Sequence, residues 1–152
     1  MKKMNFNSIV NLLCTVCIVG TTLLMMLTWN KIPEQIPGHY NMAGEVDRMT
    51  GKMSLIVFLV LNVLIYGIIT FSEHFPEVWN TAVTVTEENR ERVYRTLKYM
   101  IGSLKLEMVL FFCYLIIQSM TGKNLPTWST GVSLAIVFGT LIGFLVHLIR
   151  IR

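Results

Sequence analysis

Charge is what this sequence has least of. Only 14% of its 152 residues are Asp, Glu, Lys or Arg, against 53% hydrophobic, and the mean hydropathy is +0.58. A soluble domain of this size would struggle to keep that balance off its surface, so an integral membrane class is implied. Cysteine is scarcer still. The three present, Cys14, Cys17 and Cys113, all fall in apolar runs, which excludes a disulfide framework and suits small hydrophobic packing. Cys14 and Cys17 share a helix face, but they lack the exposed helix start that a thioredoxin-like site needs. There is no Gly-rich phosphate loop, no GxSxG, no HExxH and no carboxylate pair on one helix face at mid-membrane depth. The expectation is therefore a non-enzymatic protein with no cofactor and no bound metal. No internal repeat or low-complexity tract marks a second domain, so residues 1–152 are expected to form one membrane domain.

What is present is apolar length. A hydrocarbon core of about 30 Å needs roughly 20 helical residues, and four runs meet that, at 9–28, 53–71, 99–119 and 130–148. The third is interrupted by Lys105 and Glu107. The predicted fold class is an all-α four-transmembrane-helix bundle. It has a folded extracytoplasmic loop, 29–52, between the first two helices and a cytoplasmic connection with its own helix, 72–98. Lys2, Lys3, Arg90, Arg92, Arg95, Lys98, Arg150 and Arg152 gather on one side, and Lys31, Arg48, Lys52 and Lys123 on the other. The excess of basic residues puts both termini in the cytoplasm and the 29–52 loop outside. The first span follows "MKK" as a signal peptide would, but "MLTWNK" offers no small-residue cleavage site, so an uncleaved anchor is expected.

The loop reads "KIPEQIPGHYNMAGEVDRMTGK". Pro33 and Pro37 remove two backbone donors and fix two φ angles, while Gly38, Gly44 and Gly51 permit turns, which predicts a folded non-helical loop with "IPEQIP" extended. Ile32, Ile36, Tyr40 and Met42 are its apolar anchors to the bundle, and Trp29 suits the interfacial aromatic belt. His39, Asn41, Glu45 and Asp47 form a dense polar cluster. Three uses are open to it: hydrogen bonds that hold the loop's own shape, recognition of a partner, or a divalent metal held by imidazole and carboxylates.

This loop resembles the pattern P-x-x-I-P-x-H-[FY]-N-x-x-G-x-x-D of the domain of unknown function 1648 that heads SdpI-type toxin-immunity proteins. Pro33, Ile36, Pro37, His39, Tyr40, Asn41, Gly44 and Asp47 match it residue by residue. Farther on, "VTVTEENRERVYRTLKYMIGSLKLE" is similar to the segment entering the third span in a short, uncharacterised four-span branch of that family. The resemblance implies a bacterial plasma-membrane protein with an immunity or signal-binding role, whose outer loop recognises an external peptide toxin, signal or partner.

On the cytoplasmic connection, Thr84 and Glu87 stand at capping-box spacing, followed by Glu88–Arg92 and Glu91–Arg95 pairs, which predicts a charged helix from near Thr86 into the third span. Its cations suit anionic lipid headgroups or a cytoplasmic protein partner, and its mixed charge and short length exclude a nucleic-acid role. Within the membrane, Asn62, Lys105, Glu107 and His147 are the polar residues to explain. Lys105 and Glu107 project to different faces of a helix, with Lys105 placed to snorkel and Glu107 placed to pair with His147. Ionisable intramembrane groups are functional candidates, so a small transporter or channel subunit using Lys105, Glu107 and Asn62 is the alternative, although a proton relay needs a longer chain of such groups. A metal-dependent membrane enzyme built on the loop is the second alternative. Gly131, Ala135, Gly139 and Gly143 recur every four residues, a small-residue stripe for close helix packing in the same chain or in a homodimer.

Overall fold

The computed structural model describes residues 5–152, which form four long helices, a two-stranded hairpin and two short 3-10 turns. Lys2 and Lys3 lie outside the described residues. Helix α1 (Phe6–Thr28) starts at Asn5, whose side chain accepts a hydrogen bond from the Ser8 amide at 2.9 Å. That bond satisfies one of the amides left free in a first helical turn. Val10, Cys14, Ile18, Thr21 and Met25 are buried on one face, while Leu27 on another is 83% exposed. Helix α2 (Ser54–Ser72) buries only Leu55 and Asn62, and α4 (Thr127–Arg150) only Ser129 and Leu148.

Such bare apolar helices would aggregate in water, whereas lipid accepts them without penalty. All four helices are long and apolar enough to cross a bilayer. They are held together by α3 (Arg90–Thr121), against which α1, α2 and α4 each pack. Phe6 on α1 lies edge-on to Tyr99 on α3 with ring centroids 4.8 Å apart. A Cβ at Gly102 would come within 2.7 Å of the Phe6 ring, so glycine is what lets the two helices approach.

The segment between α1 and α2, expected as a folded non-helical loop with residues 32–37 extended, is an antiparallel hairpin of β1 (Gln35–Tyr40) and β2 (Val46–Gly51). A two-stranded ribbon is all edge, so the missing amide of Pro37 is tolerated there. The pairing runs from Gln35 opposite Gly51 to Tyr40 opposite Val46, with register irregularities on both sides of His39. Ile32 and Ile36 are buried against Met25, Leu55 and Ile116, which seats the hairpin on the helices. Met42 does not act as an anchor, because it is 76% exposed near the turn.

At the opposite end, residues 73–89 fold back over the helices with Trp79, Val83 and Val85 against Val93, Leu97 and Leu148. The capping pair there is Thr86 with Asn89, not Thr84 with Glu87. The Thr86 amide donates to Asn89 Oδ1 at 2.8 Å and the Asn89 amide to Thr86 Oγ1 at 3.3 Å. Asn89 also donates to the Thr84 carbonyl and is buried, so it closes the turn from both sides. Of the two ion pairs expected on this helix, Glu91–Arg95 forms, while Glu88–Arg92 does not.

The small-residue stripe of α4, open on sequence grounds to packing in the same chain or against a second copy, is left uncovered. Gly131, Ala135, Gly139 and Gly143 are all exposed, and a Cβ at any of the three glycines would meet nothing within 4 Å. The stripe therefore makes no close helix contact among the described residues, although Gly139 and Gly143 border an open groove between α4 and Ser103 and Glu107 of α3. The cysteines behave as expected. All three are free, and Cys14 and Cys113 sit in the core beside Val10, Ile18 and Val109.

Candidate functional site

Three groups of polar side chains stand out, and each is placed by a different part of the fold. The first is the hairpin. Asn41 Oδ1 accepts from the Ala43 and Glu45 amides at 2.9 and 3.0 Å, and its Nδ2 donates to Glu45 Oε2 at 3.0 Å, so Asn41 and Glu45 are spent on shaping the turn. His39 Nδ1 and Asp47 Oδ1 meet across the strands at 2.7 Å and stay largely exposed. Gly44, at φ +81°, lies in the left-handed region that glycine occupies without strain. Its carbonyl accepts from the Leu125 amide at 2.8 Å, while Asn124 Oδ1 accepts from the Val46 amide at 2.9 Å. Both bonds tie the hairpin to the α3–α4 connection. Among the described residues, no three His, Cys, Asp or Glu gather in a metal-binding group, and His39 with Asp47 supplies only two donors.

Beneath the hairpin lies a cavity of about 360 Å³. Its roof is the strand end Gly38 to Met42. Its walls are Phe58 and Leu61 of α2, Phe111, Phe112, Leu115 and Ile116 of α3, and Leu125 beyond. The Tyr40 hydroxyl reaches in toward Ser119 Oγ and the Lys123 carbonyl, both at a long 3.5 Å. Burial pushes the Tyr40 phenol up from its ordinary value of 10.0. The Ser119 contact pulls the other way, and nearby Tyr114 adds to the rise. Of the matched loop residues, His39, Tyr40 and Asn41 line this cavity, Pro37 and Ile36 are buried, Gly44 and Asp47 shape the hairpin, and Pro33 packs near Gly122.

The second group surrounds Lys105, which does not snorkel. Its side chain is completely buried, and Nζ donates to Asn11 Oδ1 of α1 at 2.6 Å, to Glu73 Oε1 at the end of α2 at 2.8 Å, and to Thr70 Oγ1 at 3.3 Å. The Tyr66 ring centroid lies 5.8 Å away. An ammonium has three donors, and all three are used, which is the condition for burying such a group. The cage thus joins α1, α2 and α3 by charge. Asn62 makes a separate link, donating from α2 to the Val109 carbonyl at 3.4 Å and to Cys113 Sγ at 3.3 Å of α3, with its Oδ1 unmatched.

The third group lies on the other side of α3. Glu107 does not pair with His147. Its Oε1 accepts from Thr140 Oγ1 of α4 at 2.6 Å, and its Oε2 is buried without a partner, as is the Tyr114 hydroxyl. His147 is exposed but lines the same cavity as Glu107. Lys105 and Glu107 thus work on opposite faces of one helix, as their spacing of two requires, and neither shares a site with Asn62.

Sequence reading alone missed Glu73, Asn11, Tyr114, Ser133 and Thr140. A signal for the last three was present. Glu107 and Tyr114 on α3, and Ser133, Thr140 and His147 on α4, each recur at intervals of seven, which keeps polar groups on one helix face.

By architecture this is a multi-pass membrane protein, built of four bilayer-length helices around a central one and carrying a hairpin docked at one end. A family model described as Domain of unknown function (DUF1648) matches residues 16–65, the stretch from within α1 through the hairpin into α2. No curated protein matches the chain, and no solved structure does.

Proposed function

We propose that this is a non-enzymatic bacterial plasma-membrane protein of SdpI-like immunity or signal-binding type. In this reading the hairpin end faces the exterior and both chain ends face the cytoplasm, the orientation favoured by the distribution of Lys and Arg. The hairpin then recognises an external membrane-active peptide. What supports this is one observation: the matched loop residues His39, Tyr40 and Asn41, with Gly38 beside them, roof an apolar cavity of about 360 Å³. Aromatic and aliphatic walls with a few polar groups at the rim are the usual makeup of a binding cavity. An apolar side chain of a peptide lying on the membrane fits beneath the roof, while the exposed His39–Asp47 pair meets its polar or cationic groups. The connection at 73–89 and the exposed face of α3 near Arg90 to Lys98 supply a surface for anionic lipid or a cytoplasmic protein.

The test is sensitivity. Cells lacking the gene are exposed to a panel of cationic membrane-active peptides, with the wild-type gene or a Leu115→Trp variant supplied in trans. Leu115→Trp fills the cavity from its wall and leaves the hairpin surface intact. Raised sensitivity on deletion, rescued by wild type and not by Leu115→Trp at equal membrane levels, is the expected result. Unchanged sensitivity to every peptide, or full rescue by the filled cavity, refutes the reading.

A further inference from the structure

Glu107 is an acid held where its hydrogen bonds are only half met. One oxygen takes the Thr140 hydroxyl and the other is buried with no partner at the junction of two cavities. Toward the chain ends, a space of about 340 Å³ runs past Ser103, Thr140, Gly139 and Gly143 to His147. Toward the hairpin, a space of about 230 Å³ runs past Tyr114 and Ser133 to Phe111. Phe111 in turn borders the cavity beneath the hairpin, where Thr130, Ser119 and Tyr40 continue the polar series. The first two spaces therefore follow one another along the seam between α3 and α4 with Glu107 between them, and the second shares Phe111 with the cavity beneath the hairpin, which α2 also walls.

Each space is far larger than one water. The middle one is lined by Glu107, Tyr114 and Ser133, and a small side-chain shift that opens Glu107 Oε2 and the Tyr114 hydroxyl to it gives a water its partners. Glu107 and Tyr114 lie seven residues apart, about 10 Å along the helix axis, so waters must bridge them. The titratable groups facing Glu107 are Tyr114 on its own helix and His147 on α4, the only other helix bordering its two cavities. Lys105 points to the opposite side, into its cage. The exposed glycines 139 and 143 keep the His147 half of the seam clear of side chains.

We propose that the α3–α4 seam is a proton pathway, with Glu107 as the group that carries the proton and with His147 and Tyr114 on its two approaches. The proton moves from water to the free oxygen of Glu107 and on to water on the far side. No bond other than O–H is made or broken. This activity is separate from peptide recognition and uses neither Lys105 nor Asn62.

The purified protein in phosphatidylethanolamine–phosphatidylglycerol vesicles, loaded with pyranine and clamped by valinomycin and potassium, reads the flux directly. Acidification faster than in protein-free vesicles is expected for wild type and lost in Glu107→Gln, whose amide oxygen still accepts from Thr140. Gly143→Leu, at a position where an added Cβ meets no atom within 4 Å, should slow it by narrowing the seam, and unchanged flux in that variant also counts against the proposal. A carbodiimide applied to the wild-type protein tests the same point without a variant. It should stop the flux and be found by mass spectrometry on Glu107. Wild-type flux no faster than empty vesicles overturns the proposal, as does flux that survives carbodiimide or Glu107→Gln. Equal passage of sodium or potassium overturns it as well, because the path is then for cations at large.

Discussion

Replacing Glu73 with Leu strikes the most demanding contact in the molecule. Lys105 is fully buried and Glu73 Oε1, 2.8 Å from its ammonium, is the only carboxylate on it among the described residues, with the Glu73 side chain itself 6% exposed. Removing one partner of a buried pair leaves the other charge unmatched, a loss of about 3–5 kcal/mol. Lys105→Met should lose a similar amount, because it strands the Glu73 carboxylate. The Lys105→Met/Glu73→Leu double variant removes both charges and leaves chiefly Asn11 Oδ1 without its donor, so about 1–3 kcal/mol is expected, less than either single change. The assay is a double-mutant cycle of unfolding by SDS in mixed micelles, followed by far-ultraviolet circular dichroism. Should the double variant lose as much as the two singles added together, Lys105 and Glu73 are not coupled and the charged cage is not what joins α1, α2 and α3.

Three further changes are informative. Gly44→Ala places a Cβ 3.1 Å from Leu125 Cβ at φ +81°, so the hairpin should undock at a loss of about 1–3 kcal/mol, seen as faster hydrogen exchange at the Leu125 amide. Asn62→Leu gives up two long hydrogen bonds but also removes a buried oxygen with no partner, so stability within about 1 kcal/mol of wild type is expected by thermal unfolding in nanodiscs. Tyr40 has its phenol raised above 10.0 by burial in the folded state. The neutral form is thus favoured by folding. The hairpin's stability should hold below pH 10 and be lost as pH rises through the folded value, with Tyr40→Phe abolishing that dependence in an alkaline titration of hairpin exchange rates.

The four helices were legible because a bilayer demands long apolar runs, and little else in a sequence looks like one. The hairpin was not, since Pro33, Pro37 and Gly38 read as turn residues and the irregular register around His39 hides the alternation that marks a strand. Asn41 and Asp47 shape that hairpin, one of the uses their types suggested. The cage was missed for another reason. Glu73 lies at the very end of α2, 32 positions from Lys105, and only the fold of α2 against α3 makes them neighbours. The charge of Glu107 points to an ionisable partner, whereas Thr140, two turns nearer the middle of α4 than His147, fills that place.

Helix α3 is unbroken for 32 residues, a rod of about 48 Å, while the hydrocarbon layer it crosses measures about 30 Å. Roughly a third of its length thus stands clear of the apolar slab with no hinge in between. Whatever tilts one tip of such a shaft swings the other, so an event beneath Tyr40 and Ser119 would be delivered mechanically to Arg90 and the turn that Asn89 fastens.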